Sequence, residues 1–194
     1  MIPEIVDLSA ERRDSREQAA RLLYESFADL TPSWPDMQAA REEVSLTLLS
    51  EKISRVMLDD DGAVIGWAGA EPHYDGHVWE LHPLVVAVSH RKKGYGRTLV
   101  EDIEAIVSKR GALTLWVGSD DEINATSLSG VDLYDDIPGA IRNVKNFKGH
   151  LYEFYTRLGF RIVGVMPDAN GRGKPDACNE GQCCALFCQS PSPE

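Results

Sequence analysis

Leu84-Val85-Val86-Ala87-Val88-Ser89-His90-Arg91-Lys92-Lys93-Gly94-Tyr95-Gly96-Arg97 reads as a strand that runs through a basic turn into a helix. The first five residues are apolar and rich in β-branched side chains, which suits a buried strand. Beyond Tyr95 the apolar residues Leu99, Ile103, Ile106 and Val107 share one helical face, and Gly111 is placed to end that helix. Two glycines beside a helix start let backbone N–H groups approach an anion, and the helix dipole favours negative charge there. Arg91, Lys92, Lys93 and Arg97 add cations, so a pyrophosphate suits the junction. The ordinary alternative is a helix cap with a solvated basic run; against it stands the clustering of cations in a chain that is otherwise acidic. The spacing is neither a Walker loop nor the Rossmann fingerprint.

Immediately upstream lies Trp79-Glu80-Leu81-His82-Pro83-Leu84-Val85-Val86. Pro83 cannot donate to a β ladder, so the strand is expected to bulge or part from a neighbour there, and a parted sheet makes a slot. Glu80, His82 and Leu84 lie two apart, and strict alternation puts them on one face, a carboxylate and an imidazole beside that slot.

Working outward, Ile2 to Leu8 reads as a strand, and residues 15–29 and the stretch carrying Ala40, Val44 and Leu48 read as two amphipathic helices. A Pro-broken loop separates them and carries an exposed Trp34. Ile53–Leu58 and Val64–Ala70 form a hairpin, and Val78–Val88 is the next strand of the same sheet. After Leu113–Gly118 comes an acidic insert, residues 119–150, without a clear period, holding a short helix near 138–145. A helix at 151–158, the strand 160–166 and a run of turn residues follow. The expected fold class is α/β (α+β), a mixed sheet with helices on its faces. Residues 1–176 make one domain; 177–194 is an atypical Cys-rich end in which 182–188 is able to supply a last strand before a tail.

The 194 residues are enough for a core without disulfide staples. A net charge of -11 disfavours nucleic acid and anionic membrane and favours cationic partners. No apolar run approaches the ~20 residues of a membrane span, and the start lacks the features of a secretory leader, so a cytoplasmic protein is expected. All four cysteines, Cys178, Cys183, Cys184 and Cys188, crowd the end, at spacings that suit neither a disulfide framework nor a zinc site. No metal is expected.

The Arg91-x-x-Gly94-x-Gly96 motif after Leu84-Val85-Val86, with Tyr152-Glu153-Phe154-Tyr155 and Leu158-Gly159-Phe160, resembles the GCN5-related N-acetyltransferases. SWPDM (33–37), WELHPLVV (79–86), GSDDE (118–122), YEFY (152–155) and VGVMPDANGRGKPD (163–176) together resemble the aminoglycoside 6′-N-acetyltransferases within that superfamily. The resemblance covers roughly residues 20–176 and implies a central sheet splayed in the middle, with helices on both faces. It implies acetyl-CoA as cosubstrate, held by Leu84, Val85, Val86, Arg91, Lys92, Lys93, Gly94, Tyr95, Gly96, Arg97 and Tyr155. It further implies direct transfer of an acetyl group to the 6′-amine in a ternary complex, antibiotic resistance as the consequence, and a homodimer. Two departures stand out: Ala177–Cys188 replaces the short hydrophobic strand usual after GKPD, and Leu151 replaces a proline common before YEFY.

An amine of this kind is protonated at neutral pH and must lose a proton before attacking a thioester. Glu80 is the candidate to anchor and deprotonate it, directly or through a water, with His82 as relay. The backbone N–H of Leu84 is the candidate oxyanion donor. By resemblance Tyr155 protonates the leaving thiolate, Trp34 and Tyr74 pack on sugar rings, and Asp120 contacts a ring amine. Asp121 and Glu122 beside it, with Asp132, Asp135 and Asp136, offer a field suited to a polycation. The alternatives are acetylation of another amine, such as a polyamine or a protein N-terminus, a non-catalytic acetyl-CoA-binding module, and a metal protein built on His73, His77 and His82 with Glu80.

Overall fold

The structure, a computed structural model, describes residues 3–28 and 33–183, which fall into two compact units. The first unit runs to Leu115 and takes in Gln182 and Cys183; the second is Trp116–Gly181.

In the first unit β1 (Glu4–Asp7), β2 (Ile53–Leu58), β3 (Val64–His73) and β4 (Val78–Val86) form an antiparallel meander in sequence order. One face of this sheet is covered by α1 (Arg13–Phe27) and α2 (Met37–Leu46). Ala19, Ala20, Leu22 and Leu23 of α1 and Ala40 and Val44 of α2 bury themselves against Val56, Trp67 and Val85. Helix α2 starts where the side chain of Asp36 accepts from the Ala39 N–H at 2.9 Å, an N-cap just after Pro35. Trp34 was expected to be exposed; it is instead half-buried, packed on this core with its ring 5.2 Å from that of Phe27. Helix α3 (Tyr95–Lys109) buries Leu99, Val100, Ile103 and Val107, and it ends at Gly111, whose φ of +90° a side chain would strain. No helix among the described residues is long and apolar enough to cross a membrane.

In the second unit β5 (Thr114–Asp120, beginning two residues before the unit does), β7 (Asp176–Gln182) and β6 (Arg161–Met166) lie in the order β5-β7-β6, with α4 (Ile137–Arg142) and α5 (Tyr152–Arg157). Of residues 182–188, expected to be able to supply a last strand, 184–188 lie outside the described residues; the strand described is Asp176–Gln182, antiparallel to β6. Asp176-Ala177-Cys178-Asn179-Glu180-Gly181-Gln182 has poor β propensity, and its central place in the order β5-β7-β6, not its composition, makes it a strand. Asn179, fully buried, donates to Ser119 Oγ at 2.8 Å and to Ala177 O at 2.7 Å. Cys178 is half-buried and Cys183 buried; Cys184 and Cys188 lie outside the described residues. The acidic insert has a small core of its own, Leu128 and Leu133 packed with Ala177, Ile137, Ala140, Val144 and Val165.

Candidate active site

The site is built around a fault in the β3–β4 ladder. Ala68 pairs with Leu84 and Ala70 with Leu81, so His82 and Pro83 together oppose the single residue Gly69. The His82–Pro83 peptide is cis. Gly69 is required by close approach: a Cβ there would lie 2.5 Å from the backbone oxygen of His82. One extra residue in one strand reverses which face every later side chain takes. Trp67 and its partner Val85 face α1 and α2. By alternation along β3, Glu71 and His73 face that way too, and so does Glu80, the partner of Glu71. Leu84 pairs with Ala68 and takes the opposite face. The expectation that Glu80, His82 and Leu84 share a face is therefore corrected: the bulge keeps Glu80 and His82 together and turns the Leu84 side chain away.

Facing α2, the carboxylates and imidazoles form a connected cluster. His73 Nε2 lies 3.2 Å from Glu80 Oε2 and 3.5 Å from Glu71 Oε1. Glu71 is also paired with Lys52. His82 Nε2 lies 3.4 Å from Glu43 Oε1, the indole N–H of Trp34 donates to Glu43 Oε2 at 3.4 Å, and the Trp34 and His82 rings are 6.1 Å apart. Burial raises the Glu80 carboxyl above its ordinary 4.5; the nearby imidazoles oppose that rise, and Glu71 adds to it. Burial alone would lower His82, but the carboxylates of Glu43, Glu80 and Glu71 outweigh it and hold the imidazole above 6.5. Glu43 is lowered, first by its contact with His82. Ligand atoms of Glu71, His73 and Glu80 lie within 4.8 Å of one another, a spacing a divalent cation tolerates. The Lys52 ammonium already answers Glu71 there. A cleft of about 430 Å³, lined by Leu49, Ser50, Glu51, Lys52, Glu71, Pro72 and His73, opens beside the cluster. Tyr74 stands exposed at the tip of the β3–β4 hairpin, just past His73 and outside the cluster.

The backbone of β4 presents a second feature. The Ala87 N–H donates to Ile65 O at 2.9 Å, so it points towards β3. Amides alternate along an antiparallel strand, so the N–H groups of Leu84 and Val86 point from the opposite edge. On that edge Arg91 Nε donates to Val86 O at 3.0 Å. Beyond it Gly94, at φ +90°, turns the chain into α3. The first helical bond in α3 is from Thr98 N–H to Gly94 O, which leaves the N–H groups of Tyr95 and Gly96 outside the helical ladder. Arg91, Lys92, Lys93 and Arg97 are exposed around this turn, and the donors and charges fit a pyrophosphate.

The second unit holds the remaining expected residues. Burial raises the Tyr155 phenol above its ordinary 10.0, so it is neutral at physiological pH and able to donate; Phe154 and Phe160 pack on its ring. Asp120 is exposed, and its carboxylate accepts from Asn170 Nδ2 at 2.6 Å. Asp121 departs from expectation. It is 2% exposed, and its oxygens accept from Ala125 N–H, Thr126 N–H, Thr126 Oγ1 and Ser129 Oγ, which leaves them no room for a substrate. Burial pushes its pKa up, and these four bonds bring it below the ordinary 3.8. Glu122 is bound to Lys174 at 3.0 Å, while Asp132 and Asp136 cap the turns at Tyr134 and Gly139. His150 is buried between the two ends of the insert's frame. One ring nitrogen faces Asp120 O at 3.1 Å, and the other accepts from Tyr152 N–H at 3.2 Å, in the first turn of α5.

Sequence reasoning missed Glu43 and Glu71. Glu43 sits three residues after Ala40, beside the apolar stripe of α2, and a carboxylate at that spacing was the available signal. Glu71 is two residues before His73, but its facing Glu80 depends on a register no local pattern encodes.

Comparison with known proteins gives consistent results. The model for the acetyltransferase (GNAT) family matches residues 17–129. A solved aminoglycoside 6′-N-acetyltransferase complexed with coenzyme A is 34% identical, covering 98% of this chain and 99% of that one, with a TM-score of 0.85. The aminoglycoside 6′-N-acetyltransferase from Enterococcus faecium is 35% identical over 98% of this chain and 99% of its own, with a TM-score of 0.84. An aminoglycoside 6′-acetyltransferase type Ii is 31% identical with the same coverage and a TM-score of 0.68. A search of curated proteins returned no match.

Proposed function

The chain belongs to the acetyltransferase (GNAT) family, and we propose that it transfers the acetyl group of acetyl-CoA to the 6′-amino group of aminoglycoside antibiotics. The observation that carries this reading is the Glu80 cluster. A half-buried carboxylate, beside Glu71 and two imidazoles, is suited to receive and deprotonate an ammonium group. Similarity of 34–35% over 98% of the chain to aminoglycoside 6′-N-acetyltransferases points to the class of amine.

In this reading Glu80 holds the 6′-ammonium and draws off its proton, with His82 as relay. The Leu84 N–H polarises the thioester carbonyl. The amides of Tyr95 and Gly96, with Arg91, Lys92, Lys93 and Arg97, hold the pyrophosphate of the cosubstrate, and Leu84, Val85, Val86 and Gly94 line its path. Tyr155, as a neutral phenol, is the proton donor to the thiolate. Trp34 and Tyr74 are assigned to the sugar rings and Asp120 to a ring amine. Asp121 is left out of the substrate contacts because its oxygens are already engaged. The reading extends to a cytoplasmic homodimer that confers resistance without a metal.

The test is thiol release from acetyl-CoA with kanamycin as acceptor, together with NMR of the product to locate the acetyl group. Turnover that requires the aminoglycoside and modifies the 6′ nitrogen is the expected result. Turnover with spermidine but not with kanamycin would move the enzyme to another amine.

A further inference from the structure

We propose that Glu43, a residue of α2 outside the strand that carries the catalytic groups, is a positioning residue that orients the His82 imidazole for proton relay. The proposal rests on the acetyltransfer reading above. Its basis is the arrangement around one ring. Glu43 Oε1 lies 3.4 Å from His82 Nε2, while Oε2 of the same carboxylate accepts from the Trp34 indole. Both carboxylate oxygens are thus engaged, and the Trp34 ring beside His82 limits its rotation. Helix α2 is itself fixed by Ala40 and Val44 in the core, on either side of Glu43 in the same two turns.

A carboxylate on one imidazole nitrogen selects the tautomer that carries its proton there and leaves the other nitrogen a lone pair. Here the proton belongs on Nε2, towards Glu43. Nδ1 has no hydrogen-bond partner among the described residues, so it is the basic nitrogen. The proton balance follows. The substrate ammonium, held at Glu80, gives up one proton, which passes by way of that carboxylate to Nδ1. The amine nitrogen forms its bond to the acetyl carbonyl carbon as the carbon–sulfur bond breaks. Tyr155, as in the acetyltransfer reading, protonates the leaving thiolate and is reprotonated by the amine's second proton, and His82 returns its proton to solvent.

Charged and titratable groups face the ring from three elements: Glu43 from α2, Glu80 from β4 itself, and Glu71 and His73 from β3, with Lys52 paired to Glu71. The carboxylates hold the imidazole above its ordinary 6.5, so a relay through it makes the rate rise as pH rises through the raised value. Glu43 is the group in contact, and removing its charge makes Nδ1 a weaker base that titrates at lower pH.

The test pairs two measurements on Glu43→Gln. In the apo protein, NMR titration of the His82 ring should give a lower pKa in the variant than in the wild type. In turnover, kcat should fall by about tenfold with KM nearly unchanged, and the ascending limb of its pH profile should move to lower pH. Glu43→Asp, which keeps the charge but retracts it, should fall between the two and covers the case in which the glutamine variant fails to fold. An unchanged ring titration, or a lower kcat with the limb unmoved, overturns the role given to Glu43. A wild type that acetylates no aminoglycoside overturns the functional reading instead, and the apo titration still decides the question of Glu43.

Discussion

The β3–β4 bulge and the 119–150 insert are both acidic, and they use their carboxylates in opposite ways. At the bulge, Glu71 and Glu80 are cross-strand partners, and Glu43 approaches from α2. The counterparts of Glu71 and Glu80 are an imidazole and a lysine side chain, groups that a cationic substrate is able to replace, while Glu43 holds His82 and the Trp34 indole. In the insert, Asp121 serves two backbone amides and two hydroxyls, and Asp132 and Asp136 serve turn amides. Those donors have no other acceptor among the described residues, so a ligand that took the carboxylate would leave them unsatisfied, at a cost of about 1–3 kcal/mol each. A count of acidic residues therefore does not measure a binding field. What matters is whether the partners of each carboxylate are exchangeable.

The sharpest way to break this contrast is Asp121→Ala. Loss of a buried carboxylate that organises four donors should destabilise the protein by roughly 3 kcal/mol or more, read as a lower midpoint in urea. If stability were retained and only KM for the aminoglycoside rose, Asp121 would belong with the substrate after all. Glu80→Gln tests the other side. It should leave the unfolding midpoint close to wild type yet lower kcat/KM by around 10²-fold, with little change in acetyl-CoA affinity. A rise in KM alone would reduce Glu80 to an anchor.

Gly69→Ala asks whether the bulge itself carries the site. The added Cβ would meet the His82 backbone oxygen at 2.5 Å, so the chain must shift. A loss of roughly 2 kcal/mol is expected, with kcat reduced out of proportion to it. Normal kinetics in that variant would show that the bulge geometry is incidental.

Acid should separate the two regions with the gentlest effect. Burial holds the His150 imidazole below its ordinary 6.5, against the opposing carboxylates of Asp121 and Asp120. Its stabilising contribution is present above 6.5 and is lost as pH falls through the lowered value. His82 is raised, so its contribution has the opposite sign: it is present below 6.5 and lost as pH rises through the folded value. Lowering the pH from 8 towards 5 should therefore loosen the segment around Asp120 and Tyr152 while tightening the cluster at His82. Limited proteolysis across that range checks this, and cleavage that begins near His82 would contradict it.

The sequence by itself determined the strand into the basic turn at Arg91–Gly96, the apolar faces of α1, α2 and α3, and the disturbance at Pro83. Each depends on residues close together in the chain: a period, a missing N–H, a glycine at a helix start. The motif resemblance was equally local. Only the tertiary structure decided the rest. Strict alternation placed Leu84 with Glu80, and one extra residue opposite Gly69 reversed that. Glu43 and Glu71 joined the site through a helix seated on the sheet and a cross-strand register, and the register leaves no local trace. The residues of β7 lack strand character and became a strand beside β6, where Asn179 found partners in Ser119 and Ala177. Asp121, which looked like a ligand for a polycation, turned inward because four nearby donors needed an acceptor. Short-range patterns record what a segment is able to form; which groups remain available is settled when distant segments meet and satisfy one another.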